Sequence, residues 1–479
     1  MILWNAFYTY FIDRGNNPKY IALGILAGLF ILGRTRLPGW FRARLSHIPA
    51  KQWLLAILVI GFVLRIVWCL WSPYSPPAAG TEDYIMIRHA HEFSVGKGYI
   101  TTEGAPSADR PVGYAILLAG VFKFLGENLD WVALMNALLS LVTLGLVYRL
   151  GIQMKNEFVG LLAAFLVAIY PTSIFATRIV LEEHVFLPMW LGGILLLILD
   201  YQKPDWKKVV TAALLFGAAA HVRTFSFAMG GVVFLMWIFK KNFKQAVLRT
   251  LVVQAIIIML AVPWAIRNQQ KLGEPVLYTT WIGPALYFSN NDVSDVRYPI
   301  NPSAEQGGDI AFSKAKTEIE RNHAGKNAAM QWIKTHPSVF IQKALGRVVY
   351  MLGLTREGWA LTDNFNTVKP GREKPSAKTV KVFNKMDNDY YGVIFLLALF
   401  GLIVFFFPKE RLTHNRGIGY MFLTLAYYLS IIALTMGHRK YRFVIEPFFC
   451  ILAAYGVSFF LTFPAPCSCK GNQACEQNG

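Results

Sequence analysis

The sequence predicts an all-α polytopic membrane protein, and the prediction rests on its hydropathy, its shortage of charge and its long apolar runs. Of the 479 residues, 55% are hydrophobic and only 16% are charged, and the mean hydropathy is +0.40. Soluble domains carry roughly 25% charged residues and about 45–50% apolar ones. This composition excludes an ordinary soluble enzyme, a disordered chain and a nucleic-acid-binding domain.

About 10–11 apolar segments approach the length of roughly 20 residues that a helix needs to cross a bilayer. The convincing segments are residues 52–71, 131–150, 157–178, 184–201, 208–226, 247–266, 391–408, 418–437 and 441–463. Residues 228–239 form a shorter partner, which begins at the turn of Met229, Gly230 and Gly231. Residues 20–33 are also short, and they form either an eleventh span or a helix in the membrane interface.

The run at residues 111–126 either crosses the membrane or lies flat, and the distribution of Lys and Arg decides between the two. If the run lies flat, all the short basic loops face one side; they are residues 34–51, 151–156, 202–208, 240–246 and 409–417. If the run crossed, the first loop would face away from the others. We therefore predict a juxtamembrane helix there. The outer side then carries residues 72–130, 179–184, 267–390 and 437–440.

These segments divide the chain into five parts. They are an N-terminal segment with a basic cytoplasmic loop (1–51), a transmembrane module (52–266), an outer domain (267–390), C-terminal transmembrane helices (391–463) and a polar tail (464–479). The outer domain is predicted to be mainly helical, at residues 309–335 and 338–353, with a break at His336 and Pro337. The five cysteines fit neither a zinc site nor a disulfide framework.

Two pairs of carboxylates adjoin the outer ends of apolar segments. Glu82 and Asp83 follow the first convincing span, and a carboxylate near an apolar surface can act as a general acid or base. A solvated loop or a helix N-cap explains this pair as well. Glu182 and Glu183 lie where two spans meet, so they either face a cavity or extend to the interface.

Basic residues also occur on the outer side, where positive charge is normally sparse. They are Arg223, Arg267, His438, Arg439, Lys440 and Arg442. One explanation is an anionic ligand near the outer surface, because Arg matches the geometry of phosphate oxygens. The other is pairing with the acids Glu82, Asp83, Glu182, Glu183 or Glu446. We favour phosphate, since several of these groups from different segments could converge.

A series of short motifs follows the same order as in a known superfamily. The motifs are Asp83-Tyr84 with Ala90 and Gly96 to Tyr99, Arg110 to Tyr114, Tyr170-Pro171 leading to Glu183, Arg223, Pro263-Trp264 with Arg267-Asn268, Ile333 to Pro337, and Arg439 to Pro447. Together they resemble the GT-C superfamily of membrane glycosyltransferases. Within it, the chain is similar to the bacterial relatives of protein O-mannosyltransferases and of the lipid A aminoarabinose transferase. The resemblance covers roughly residues 52–463.

The resemblance implies a GT-C-like bundle and a polyprenyl-phosphate-linked sugar as donor, which agrees with the absence of a nucleotide-binding motif. It implies transfer to a hydroxyl of a lipid, a glycan or a protein, with inversion, because a single in-line displacement needs no covalent intermediate. The bacterial inner membrane, with the active site facing the periplasm, is the implied location. A lipid-linked glycan polymerase or ligase and a flippase are the alternatives.

The resemblance also implies roles for the candidate residues. Asp83, or else Glu82, would accept the proton of the acceptor hydroxyl, and Glu183 would orient the acceptor. The leaving phosphate would be bound by Arg223, Arg267, His438, Arg439, Lys440 and Arg442. We expect no required cofactor. Asp83 and Glu183 leave a divalent cation open, and carboxylates favour Mg or Mn over Zn.

Overall fold

The computed structural model describes residues 49–75, 81–297, 299–353, 359–366, 368, 371–406 and 416–462, with four isolated positions between 22 and 28. Several sequence predictions fall outside the described residues. They concern the segment 20–33, the basic residues before Pro49, the basic residues Lys409 and Arg411, and the cysteine-containing tail.

Within the described residues the chain forms a series of α-helices. They are α1 (Ala50–Trp71), α2 (Glu82–Ser94), α3 (Val112–Leu125), α4 (Leu129–Met154), α5 (Glu157–Ala168), α6 (Pro171–Ala176), α7 (Glu183–Gln202), α8 (Trp206–Val222), α9 (Met229–Phe239), α10 (Phe243–Leu272), α11 (Ile282–Ser289), α12 (Ile310–Lys314), α13 (Glu318–Thr335), α14 (Pro337–Leu352), α15 (Trp359–Asn366), α16 (Ala377–Phe405), α17 (Gly419–Leu434) and α18 (Glu446–Thr462).

The predicted fold class, an all-α polytopic membrane protein, is confirmed. Among the described helices, α1, α4, α7, α10 and α16 are long and apolar enough to cross a membrane. Shorter apolar helices, among them α3, α5, α17 and most of α18, accompany them. Helix α7 lies at the centre, since 78% of its apolar window is buried, against 22% in α1. The apolar surface that α1 leaves exposed is the kind that lipid covers.

In three of the predicted apolar segments, the helix in the structure is broken or shorter than predicted. The predicted span 157–178 is wrong as one continuous helix, because Tyr170 before Pro171 is extended (ψ 117°) and separates α5 from α6. Helix α8 ends at Val222, and Arg223 is extended (φ −140°, ψ 124°). The last helix begins only at Glu446, after a 3₁₀ turn over Arg439–Val444. These breaks bring Arg223 and the Arg439–Val444 turn to the outer end of the bundle. We use "outer" for the side that the basic loops assign.

The segment predicted as the outer domain contains α11 to α15 and the start of α16, and the break predicted at His336 and Pro337 is present between α13 and α14. Helix α13 begins with a capping box, in which Thr317 and Glu320 bond to each other's backbone N–H groups. Glu318 then fastens this helix to the first outer loop, because its carboxylate accepts hydrogen bonds from Ser107 Oγ (2.5 Å) and the Ala108 N–H (2.9 Å). The first outer loop and the outer domain therefore hold each other in place.

Candidate functional site

A cavity of about 780 Å³ lies between the outer end of the bundle and the outer domain. Its charged lining from the bundle side is Glu82, Arg110, Glu182 and Arg223. Its outer rim carries Glu274, His323 and Lys326. Much of the remaining wall is apolar, from Phe225, Phe227, Leu277, Ile282 and Ile431. We call this space the outer cavity; its lining combines the charged group from the bundle side with a mainly apolar wall.

Glu82 lines the outer cavity, and its carboxylate pairs with Arg110, which also lines it, and with Lys440, which is not among the lining residues. Glu82 lies in the first turn of α2, after the cap in which Thr81 accepts the N–H of Tyr84. Its Oε2 atom lies 3.0 Å from Lys440 Nζ, and its Oε1 atom lies 3.9 Å from Arg110 Nε. The Lys440 ammonium holds the pKa of Glu82 well below its ordinary value, although burial acts in the opposite direction. Glu82 therefore stays ionised while it remains 34% exposed.

Glu182 and Glu183 share the guanidinium of Arg223. The Nη2 atom of Arg223 lies 3.0 Å from Glu182 Oε1 and 2.5 Å from Glu183 Oε1. Glu183 is fully buried, and its second oxygen has no hydrogen-bond partner among the described residues. A buried acceptor without a partner is rare and calls for an explanation. This oxygen is available to a polar group that enters beside Arg223.

Asp83 follows Glu82 in the same helical turn but does not line the outer cavity. It is half-buried, and its carboxylate acts electrostatically on the buried hydroxyl of Tyr114, as does that of Glu182. Asp83 is thus the second residue of α2 and lies directly after Glu82, beside the acidic group of the site.

The basic residues predicted from the sequence do not all converge on the cavity, contrary to expectation. Arg267 donates to the backbone oxygens of Ser107 (2.6 Å) and Tyr99 (2.7 Å), so it fastens the first outer loop. Arg442 lies inside the bundle, 3.1 Å from Glu446 Oε1 and 3.5 Å from the centre of the Tyr391 ring. Both guanidinium groups therefore have their partners outside the cavity lining, and the buried charge of Arg442 requires such a partner.

Arg439 and His438 are neighbours of Lys440 in the chain and are not among the residues that line the outer cavity. The Arg439 guanidinium lies 4.9 Å from the centre of the Tyr350 ring, on α14. The Nδ1 atom of His438 accepts the N–H of Lys440 at 3.2 Å. Burial, aided by the neighbouring Lys440, lowers the pKa of His438 to about 4, so the ring is a neutral acceptor at neutral pH. Both residues therefore shape the turn that carries Lys440.

Arg110 lines the outer cavity, and the sequence analysis did not single it out as a phosphate ligand. Its guanidinium lies 4.2 Å from the centre of the Trp281 ring, which connects the first outer loop to the outer domain. Its position on the outer side, just before Pro111, could have identified it as a candidate, because the other basic residues were selected by the same argument. The rim residues His323 and Lys326 carried no such signal, because basic groups are common on a polar helix.

Three carboxylates at or beside the outer cavity are paired with cations. Glu82, Glu182 and Glu183 face the cations Arg110, Arg223 and Lys440. In the described part of the chain, no cluster of three or more His, Cys, Asp or Glu side chains could hold a metal. Of the two acids considered for a divalent cation, Glu183 is bonded to Arg223 and Asp83 lies outside the cavity lining.

Residues 109–266, about a third of the chain, match the family model described as dolichyl-phosphate-mannose-protein mannosyltransferase. The resemblance to GT-C membrane glycosyltransferases is thereby confirmed. The matched segment contains Arg110, Glu182 and Arg223, which line the outer cavity, and Glu183, which pairs with Arg223. No curated protein matches the full sequence significantly.

Solved structures of the GT-C type are distant likenesses. The oligosaccharyltransferase AglB from Archaeoglobus fulgidus, solved with an inhibitory peptide and a dolichol-phosphate, is 14% identical, with a TM-score of 0.47. The match covers 85% of this chain and 50% of AglB, so the chain spans about half the length of that enzyme. ArnT from Cupriavidus metallidurans, bound to undecaprenyl phosphate, is 13% identical over 86% of this chain and 76% of its own, with a TM-score of 0.43.

Proposed function

We propose that this protein is a membrane glycosyltransferase that moves a sugar from a polyprenyl-phosphate carrier to a hydroxyl acceptor on the outer face of the membrane. The observation that supports it best is the combination, in the lining of the outer cavity, of a charged group with a mainly apolar wall. A lipid-linked sugar phosphate likewise combines a charged group with an apolar chain. AglB and ArnT, which have been solved with lipid phosphates, are consistent with this donor class.

The transfer begins with attack of the acceptor hydroxyl on the anomeric carbon of the donor sugar. Asp83, one position after the lining residue Glu82 on α2 and near Tyr114 as Glu182 is, takes the proton of an acceptor hydroxyl that reaches past the cavity lining. The new C–O bond forms, and the bond from the anomeric carbon to the phosphate oxygen breaks with its electron pair. One displacement inverts the configuration. A positioned base contributes about 10²–10⁴-fold to the rate. Glu82 is less suited to accept the proton, because Lys440 stabilises its ionised form; it orients the reactants instead.

The departing phosphate gains negative charge, and the cations of the outer cavity offset that charge. Arg223 and Arg110 line the cavity, and Lys440 adjoins it through its ion pair with the lining residue Glu82. Charge-assisted hydrogen bonds to phosphate are stronger than neutral ones, and preorganised charge is often the largest contribution to catalysis. Glu182 and Glu183 keep Arg223 in place, and the free oxygen of Glu183 is suited to orient the acceptor.

The acceptor enters from the outer rim, where Glu274, His323 and Lys326 provide polar contacts. It is a hydroxyl of a lipid, a glycan or a protein. The membrane is a bacterial inner membrane, with the outer cavity facing the periplasm. The proposal includes no required cofactor, because the carboxylates of Glu82, Glu182 and Glu183 are already paired with cations.

The test uses purified full-length protein in detergent, a panel of radiolabelled polyprenyl-phosphate sugars and a membrane extract as acceptor. Wild type is compared with Asp83→Asn and with Glu127→Gln, a control that removes an exposed outer carboxylate paired with His91. We expect transfer by wild type and the control, and a loss with Asp83→Asn.

Equal transfer by wild type and Asp83→Asn would show that Asp83 is not the base. Glu82 would then be the candidate for that role. No transfer from any donor by folded wild type would overturn the proposal. It would favour a polymerase or ligase with larger lipid-linked donors, or a flippase.

A further inference from the structure

Arg347 on α14 is buried, and among the described residues no carboxylate pairs with it. Its guanidinium donates to backbone oxygens instead, at Ala433 (2.8 Å) and at Ser289. It also donates to the side-chain oxygen of Asn290 at 3.1 Å. A buried charge needs compensation, and here carbonyl dipoles supply it. The arrangement requires an explanation beyond neutralising an acid.

The carbonyls that Arg347 binds belong to the ends of two helices. Ser289 is the last residue of α11, and Ala433 lies in the last turn of α17. Carbonyls in a final helical turn lack partners within the helix, and they carry the negative end of the helix dipole. One guanidinium therefore joins the end of an outer-domain helix to the end of a membrane helix. Asn290 reinforces the junction by donating to the oxygen of Leu434 at 3.2 Å.

The chain that leaves this junction leads directly to Lys440, and α14 continues to hold it. A Cβ atom added at Gly437 would lie 2.6 Å from the backbone oxygen of Arg347, so the segment passes against α14 with no room for a side chain. Arg439 then lies over the ring of Tyr350, which is three positions after Arg347 and on the same face of α14. We call residues 435–441 the cavity segment.

We infer that Arg347 is a positioning residue, which fixes the cavity segment so that the Lys440 ammonium meets the Glu82 carboxylate. Through this pair, Arg347 influences the affinity of the site for the anionic donor. This inference rests on the proposed function. Lys cannot replace Arg347, because a single ammonium does not present donors in a rigid planar fork toward carbonyls of two helices. The residue touches no reactant; it acts through Lys440.

The matched control is Lys343, another buried cation of α14. Its Nζ atom donates to the oxygen of Asn291 at 2.7 Å and to Ser294 Oγ at 3.3 Å, and it lies over the Trp332 ring. These contacts stay within the outer domain. Lys343→Met therefore removes a buried cation from the same helix without touching the cavity segment.

The first measurement is hydrogen exchange of the full-length protein. We expect faster exchange across residues 435–441 in Arg347→Lys, and no change there in Lys343→Met. Gly437→Ala, which places a Cβ atom against the backbone of Arg347 and so displaces the cavity segment from α14, should repeat the effect of Arg347→Lys. Unchanged exchange in both Arg347→Lys and Gly437→Ala would overturn the positioning role, whether or not the protein is a glycosyltransferase.

The second measurement is the binding of undecaprenyl phosphate to the same variants. We expect Arg347→Lys to weaken binding on the order of tenfold, within the range of coupling in one network, and Lys343→Met to leave it unchanged. In a Lys440→Gln background, Arg347→Lys should add no further loss. Additive losses would show that Arg347 does not act through Lys440. Wild type that fails to bind would reject the proposed donor, and the exchange result would still decide the positioning role.

Discussion

Glu82 and Lys440 are 358 positions apart in the chain, yet their side chains form an ion pair of 3.0 Å, in which Glu82 lines the outer cavity and Lys440 adjoins it. The first outer loop supplies the acid, and the turn before the last helix supplies the cation. The pair thus joins the transmembrane module to the C-terminal transmembrane part of the chain beside the proposed reaction site. A phosphate that binds Lys440 must compete with the Glu82 carboxylate, and this competition leads to the first prediction.

Glu82→Gln should bind undecaprenyl phosphate more tightly than wild type does, by several-fold to about tenfold, because it removes a like charge beside the phosphate. Lys440→Gln should weaken binding by a similar factor. Titration of the purified protein in detergent measures both, with thermal unfolding to confirm that each variant is folded. Weaker binding by Glu82→Gln would show that phosphate does not approach this pair.

Arg223→Gln should lower the free energy of unfolding by about 3–5 kcal/mol, because it leaves two buried carboxylates without their cation. Transfer should fall to background. The double variant Arg223→Gln with Glu183→Gln should recover part of the lost stability, and its transfer activity should stay at background.

The control for Arg223 is Arg249→Gln at the opposite end of the bundle. There Arg249 Nε lies 2.8 Å from Asp200 Oδ2 in another buried ion pair. This change should reduce stability similarly while the folded protein keeps its activity. Equal effects of both changes on activity, measured at a temperature where both variants are folded, would mean that Arg223 is only structural.

Stability should decrease as the pH falls from about 6.5 towards 4, because burial lowers the pKa of His438 to about 4 from the ordinary 6.5. Between these values the unfolded chain binds a proton that the folded chain does not, so acidification favours unfolding. Below pH 4 both states are protonated, and this contribution changes no further. His438→Asn, which retains an acceptor for the Lys440 N–H, should flatten the dependence of the melting temperature on pH in that interval. A variant with the wild-type slope would assign the titration to another group.

Transfer should continue in the presence of EDTA, and added Mg or Mn should not raise it, because Arg110, Arg223 and Lys440 already pair with the carboxylates of the site. The measurement is the initial rate after dialysis against the chelator. Activity that disappears in EDTA and returns with Mn would contradict the prediction. It would then point to the second oxygen of Glu183, which has no partner among the described residues, as a candidate ligand.

Much of the fold could be predicted from local patterns. Long apolar runs predict membrane helices because backbone groups in lipid must bond within their own segment. The break at His336 and Pro337 was predictable because proline disfavours helical geometry in the residue before it. The same rule applies at Tyr170 and Pro171, but the apolar run around them concealed the break. The end of α8 at Val222 had no local signal that distinguishes it from a continuing helix.

The sequence alone determined the class of the protein and the chemistry available to it: apolar helices, carboxylates and cations near their outer ends, and a resemblance carried by short motifs. Tertiary structure alone decided which charge meets which. Arg110 and Arg267 are both arginines on the outer side, yet Arg110 lines the cavity while Arg267 binds the backbone of a loop. The reason is physical. Local sequence sets helix propensity and hydropathy, whereas a buried charge is stable with any suitable partner, and only the packing of distant helices selects one.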